Sequence, residues 1–67
     1  MNIFIELTVP SGDKVYFNLL EIVCIREYDG NAKTLITLTT GANIGVVEEY
    51  TKIKDRIEFR MEKIYGF

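Results

Sequence analysis

The sequence predicts a small α+β domain, an antiparallel five-stranded β-meander with one C-terminal amphipathic helix packed on it. Five short segments between residues 2 and 47 alternate apolar and polar side chains, with the period of two that is typical of half-buried strands. Turn residues separate these segments. From Glu48 the apolar residues recur with the period of 3.6 that is typical of a helix. We therefore expect one domain over residues 1–67, with the meander over 1–47 and the helix over 48–65.

The first two strands form a predicted hairpin. Residues 2–9 alternate, with Ile5 and Leu7 on the inward face, and residues 14–17 form the second strand. Residues 10–13 supply the turn between them, because Pro10 fixes φ and Gly12 permits positive φ. Both strands carry an aromatic residue on the outward face.

A corner and a third strand follow. Asn18 and Glu21 have the spacing of a capping box and predict one short helical turn. Residues 22–28 are the third strand, in which the inward face is ambiguous because four apolar residues stand in a row. Arg26 favours an inward direction for Val23 and Ile25. We interpret the only cysteine, Cys24, as a small buried apolar side chain.

The fourth and fifth strands are predicted over residues 33–40 and 44–47, after a hairpin turn at residues 29–31. The fourth is the central strand, with Ile36 and Leu38 inward and a turn at residues 40–43 behind it. Gly45 on the outer face of the fifth strand marks a bulge or a close approach by another backbone.

The predicted helix has one narrow apolar stripe and ends at Gly66 as a C′ residue. Glu48 and Glu49 stand at its N-terminus, where the helix dipole favours acids. The stripe consists of Tyr50, Ile53, Ile57, Met61 and Ile64.

Composition limits the function classes. The chain has 67 residues, a net charge of −2, one cysteine and no histidine, so an internal disulfide and the usual zinc sites are excluded. A core of this size is marginal, which favours self-association as a homo-oligomer. No apolar run reaches membrane-spanning length, and the N-terminus lacks the basic region of a signal peptide. These features predict a cytoplasmic protein without membrane insertion.

The sequence predicts no catalytic, cofactor-binding or metal-binding residues. Without histidine there is no general base near neutral pH, and no phosphate-binding loop is present. A basic helix face could contact nucleic acid, but five acids on the same helix make a solvated face the preferred interpretation. The basic residues are Lys52, Arg56, Arg60 and Lys63.

Aromatic residues outside the predicted core are the strongest functional signal. Phe4 and Tyr16 fall on the outward faces of the first two strands, Phe59 lies away from the helix stripe, and Phe67 follows the helix. Several such residues on a small domain predict a contact surface for a subunit, a protein partner or a small ligand. In the ligand alternative, Phe4, Tyr16 and Arg26 hold a small molecule such as a nucleotide between subunits.

Several short motifs lie along the central part of the chain: Gly12-Asp13-Lys14-Val15, Asn18, Glu21-Ile22, Ile36-Thr37-Leu38-Thr39-Thr40-Gly41, Val46-Val47-Glu48-Glu49, Tyr50, Ile53 and Ile57. In these motifs the chain resembles the FlbD/SwrD-like family of small flagellar proteins. The resemblance covers about residues 3–57, and it implies the same fold without catalytic residues. Glu49 and Val47 stand where that family tends to have Ser and Lys. Phage and bacterial orphan proteins and DNA-binding LytTR domains use a similar strand and turn.

Three functions are therefore open from the sequence. The first is a non-catalytic interaction module that binds an unidentified protein and self-associates. The second is a phage-type protein that binds or sequesters a small molecule such as a nucleotide. The third is LytTR-like DNA binding, which the net charge of −2 disfavours.

Overall fold

The structure, a computed structural model, describes residues 3–65, and for residues 62–65 it describes the backbone alone. Its element order confirms the α+β class. The elements are β1 (Phe4–Thr8), β2 (Lys14–Asn18), a 3₁₀ turn (Leu19–Glu21), β3 (Ile22–Glu27), β4 (Thr34–Leu38), β5 (Asn43–Val46) and α1 (Tyr50–Tyr65). The helix thus begins two residues later than predicted. Within the described part of the chain, no helix is long and apolar enough to cross a bilayer.

The five strands form two antiparallel sheets, β1–β2 and β3–β4–β5, and not the single five-stranded meander that the sequence predicts. The reason lies in the corner between β2 and β3. The Asn18 side chain accepts the Leu20 N–H at 2.9 Å, which confirms the predicted helical turn. The Leu19 N–H donates to the Ile3 carbonyl at 2.8 Å and holds the corner against the start of β1. The chain therefore turns away before β3, and β3 pairs with β4.

Glu21 does not complete the predicted capping box. Its carboxylate accepts a hydrogen bond from the Thr39 hydroxyl, and its carbonyl accepts the Thr39 N–H at 2.8 Å. The side chain therefore ties the corner to the end of β4.

A β-bulge at Val23 resolves the ambiguous face of β3. Ile22 lies opposite Leu38 and Cys24 lies opposite Thr37, so Val23 is the extra residue in the ladder. The bulge lets Ile22 and Ile25 both pack against the core, while Val23 is 63% exposed and Cys24 is also exposed. The predictions of an inward Val23 and a buried Cys24 are therefore wrong, because the bulge interrupts the alternation on which they depend.

The core contains residues from both sheets and the helix. Ile53 is fully buried, which confirms the centre of the predicted stripe, and Tyr50, Ile57 and Met61 are half-buried beside it. Two predictions lie outside the described residues. They are the stripe position of the Ile64 side chain and the helix end at Gly66. The other buried apolar residues of this cluster are Ile5, Leu7, Phe17, Leu19, Ile36 and Val46.

Two contacts connect the sheets to the segment that follows β5. The Val47 N–H donates to the Thr8 carbonyl at 2.8 Å, which places the end of β5 beside the end of β1. The hydroxyl of Thr34, a fully buried residue, donates to the Glu48 carbonyl at 2.8 Å. Both sheets are therefore connected to the segment that leads into α1.

At Gly45 the structure shows a close approach, but by a side chain and not by the backbone that the sequence predicts. A Cβ atom at this position would lie 2.8 Å from the Cβ atom of Ala32, a separation that real Cβ atoms essentially never show. The neighbour is thus a buried side chain of the β3–β4 loop. Gly45 allows this loop to pack flat against β5.

Candidate functional site

An apolar groove of ≈ 270 Å³ lies between β3 and α1. The strand side contains the bulge and its neighbours, and the helix side contains the half-buried end of the apolar stripe. It forms because α1 places Ile53 in the core, so that the stripe residues on either side of Ile53 are left only partly covered. The lining residues are Leu19, Ile22, Val23, Cys24, Ile25, Tyr50, Lys54, Ile57, Glu58 and Met61.

One wall of the groove is an open sheet edge. In the sheet order β3–β4–β5, β3 lies at the end, and no strand among residues 3–65 pairs with its other side. An edge strand presents N–H and C=O groups to which another extended chain can bind. The groove therefore combines apolar surface with a row of backbone hydrogen-bonding groups.

One hydrogen bond shows which backbone groups of β3 are directed toward the open edge. The Tyr28 N–H donates to the Lys33 carbonyl at 3.0 Å, so the backbone of Tyr28 is directed toward the β4 side. Hydrogen-bonded and non-hydrogen-bonded pairs alternate along an antiparallel ladder. Arg26 and Cys24 are in phase with Tyr28, so their backbone groups are directed toward β4. The backbone groups of Ile25 and Glu27 are directed toward the open edge.

The helix rim of the groove carries one ion pair. Lys54 Nζ lies 3.1 Å from Glu58 Oε1, one helical turn apart and largely in solvent. The hydrogen bond and the attraction of Glu58 raise the pKa of Lys54 above its ordinary value. The rim thus offers one cation and one anion beside the apolar surface.

The sequence pattern predicts no site at this groove. A signal for it is nevertheless present in the ambiguous inward face of residues 22–25, where four apolar residues stand in a row. A strand with more apolar residues than one face can bury leaves some of them at the surface, here Val23 and Cys24. The groove also needs α1 as its second wall. The packing of α1 beside β3 is a long-range contact, which local sequence patterns do not specify.

The structure brings together two of the five predicted surface residues. Phe4 and Tyr16 lie on the outer face of the β1–β2 hairpin, with ring centroids 6.5 Å apart and an interplanar angle of 63°. This is the edge-to-face geometry that aromatic pairs favour. Phe4 is 46% exposed and Tyr16 is 71% exposed, so the pair forms an aromatic patch on the surface.

The other three predicted residues are not part of this patch. Arg26 is exposed on β3, in the other sheet. Phe59 is 60% exposed on α1 and lines a shallow hollow of ≈ 300 Å³ with Asp55, Arg56 and Arg60. Phe67 lies outside the described residues. The predicted surface is thus divided among different faces.

The groups in the β3–α1 groove are suited to binding an extended chain. They supply apolar side chains, the outward backbone groups of Ile25 and Glu27, and the charges of Lys54 and Glu58. Among the described residues there is no group of three or more His, Cys, Asp or Glu side chains that could hold a metal ion.

Comparisons with protein-family models, curated proteins and solved structures return no significant match to this chain. The resemblance to the FlbD/SwrD-like family stays a prediction from the residues quoted above.

Proposed function

We propose that this chain is a small non-catalytic interaction module of the cytoplasm, which acts by binding protein segments and by self-association. The binding surface is the β3–α1 groove. The observation that carries the proposal is the open edge of β3 beside an apolar groove, with Val23 63% exposed at the junction.

The proposed mode of binding is strand addition. An extended segment of a partner pairs with the outward backbone groups of Ile25 and Glu27, and its alternate side chains enter the groove toward Ile57 and Met61. Main-chain hydrogen bonds supply affinity, and the groove selects apolar side chains. Strand addition needs no catalytic residues, and the resemblance to the flagellar family implies none.

A peptide selection on the intact chain tests this function. A displayed library of random peptides is selected on immobilised wild-type protein, and enriched peptides are titrated into ¹⁵N-labelled protein. We expect the shifted amides to lie in β3 and on the facing side of α1. We also expect Val23→Lys to weaken binding at least tenfold, because an ammonium replaces apolar contact surface. Val47→Lys is the control, since Val47 is also an exposed valine but lies outside the groove.

Two outcomes contradict the proposal. One is that no enriched peptide binds the free protein in solution. The other is that the peptides shift amides around Phe4 and Tyr16 and bind the Val23→Lys variant as tightly as the wild type.

Small-molecule binding is a second candidate function, and the contact between Phe4 and Tyr16 favours it. Exposed aromatic rings can stack on the base of a nucleotide. A thermal-shift screen with nucleotides tests it on the wild type and on Tyr16→Ala. We expect a stabilising ligand to lose its effect in the variant, and a screen without any shift would contradict this candidate.

A further inference from the structure

We propose that the β3 edge binds β3 of a second copy of this chain, in an antiparallel pair with its two-fold axis at Ile25. The inference rests on the proposed function, since it uses the same edge, and it identifies one occupant. That occupant is an extended apolar segment with an open edge, and β3 itself has both properties. Pairing consumes the β3 edge of each copy, so the contact closes as a two-fold dimer.

The direction of the backbone groups limits the register. Only Ile25 and Glu27 in the regular part of β3 direct their backbone groups to the open edge, as the bond from Tyr28 to Lys33 shows. A two-fold antiparallel pair must therefore join Ile25 to Ile25, Ile25 to Glu27, or Glu27 to Glu27. The bulge at Val23 ends the regular edge and limits the pair to a short run.

Charge selects one of these three registers. Joining Ile25 to Glu27 places the two Arg26 side chains directly opposite each other. Joining Glu27 to Glu27 does the same with two carboxylates. Like charges directly opposite each other in a sheet are destabilising. The remaining register joins Ile25 to Ile25 and places Arg26 opposite Cys24 of the second copy.

This register also gives charge complementarity at the groove. Glu27 of the second copy lies at the Val23 end of the paired run, and Val23 lines the same groove as Lys54. The register thus puts a carboxylate at the end of a groove whose rim carries the Lys54 ammonium, which is paired with Glu58 within its own chain. This arrangement occurs twice in the dimer.

Cysteine cross-linking tests the register because Cys24 is the only cysteine. Arg26→Cys places the new thiol opposite Cys24 of the second copy, with Cα atoms about 4.5–5.5 Å apart, within disulfide range. The double variant Cys24→Ser/Arg26→Cys keeps the new thiol and removes its partner. Both are treated with oxidised glutathione, and circular dichroism checks that both fold as the wild type does.

We expect most of the Arg26→Cys protein to become a covalent dimer, with at least tenfold less in the double variant. We also expect the wild type to sediment as a dimer at millimolar concentration. A wild type that stays a monomer, or no covalent dimer in Arg26→Cys, overturns the proposal. Equal cross-linking of the two variants overturns the register, because it places Arg26 opposite itself.

The cross-linking result and the peptide-binding result distinguish failure of the dimer from failure of the proposed function. If selected peptides bind at β3 while Arg26→Cys does not cross-link, the groove binds other proteins and the second copy is the wrong occupant. If Arg26→Cys cross-links while no peptide binds, the dimer stands and binding of other proteins is contradicted.

Discussion

The Glu48 carboxylate accepts the backbone N–H of Thr8 with both of its oxygens, at 2.9 and 3.1 Å, across 40 residues of sequence. This contact joins the segment before α1 to the end of β1. Lys14 strengthens it, since its ammonium donates to the Thr8 hydroxyl at 2.9 Å and attracts the carboxylate. The position of α1, and with it the helix wall of the groove, depends on this junction.

Glu48→Gln should destabilise the fold by about 1 kcal/mol, because a neutral acceptor replaces a charged one. Glu48→Ala should cost about 2 kcal/mol, since it leaves a partly buried N–H of Thr8 without this acceptor. Urea denaturation at neutral pH measures both. Glu49→Gln is the matched control, because Glu49 is the exposed neighbour, and it should stay within about 0.5 kcal/mol of the wild type. Equal losses in the Glu48→Gln and Glu49→Gln variants would contradict the role of Glu48.

The same carboxylate predicts a pH dependence. Partial burial raises the pKa of Glu48, but the hydrogen bonds from Thr8 and the attraction of Lys14 outweigh burial and hold the pKa below the ordinary 4.5. Because the pKa of Glu48 is lower in the folded state than in the unfolded state, the carboxylate's contribution to stability is complete above the unfolded-state pKa. The contribution is lost as the pH falls from that value through the folded-state pKa.

Denaturation of wild type and Glu48→Gln at pH 6 and at pH 3 isolates this contribution. The free-energy difference between the two proteins should shrink at the lower pH. A difference that stays constant or grows on acidification is the contrary result.

Thr34→Val should cost about 1–2 kcal/mol, because it removes the hydroxyl that bonds to the Glu48 carbonyl while keeping the shape of a buried side chain. Thr39→Val is the comparison, since Thr39 is exposed and its hydroxyl bonds at the surface to Glu21. It should cost about 0.5 kcal/mol or less. Thermal unfolding of both variants checks the order, and the reverse order would contradict this account.

Gly45→Ala should cost about 1–3 kcal/mol, because its new methyl group would meet the Ala32 methyl group at 2.8 Å. Ala32→Gly opens that space. The double variant should therefore be more stable than the sum of the single changes predicts, by about 1 kcal/mol or more. Urea denaturation of all four proteins measures this coupling. Strict additivity would show that the two residues do not compete for space.

The strands and the helix could be predicted from the sequence because local signals specify them. Alternation indicates the strands, the spacing of Ile53 and Ile57 indicates the helix face, and Asn18 indicates the corner. The division into two sheets could not be predicted, since it depends on which strands pair, and β3 pairs with β4 and not with β2.

The candidate site was harder to predict for a related reason. The sequence predicts Glu48 at the start of the helix, and its contact with Thr8 has no local sequence signal. The bulge at Val23 depends on how β3 pairs with β4, so the exposure of Val23 and Cys24 follows from pairing. The aromatic pair of Phe4 and Tyr16 was easier to locate, because one hairpin holds both residues.

An open edge of β3 that binds an added strand has a signature in amide hydrogen exchange, measured residue by residue with and without a selected peptide. Without peptide, at a dilution where the protein is monomeric, we expect fast exchange at Ile25 and Glu27 and slow exchange at Cys24 and Arg26. With peptide, exchange at Ile25 and Glu27 should become at least tenfold slower. Slow exchange at all four amides in the free monomer, or no change at Ile25 and Glu27 on binding, would show that this edge does not bind an added strand.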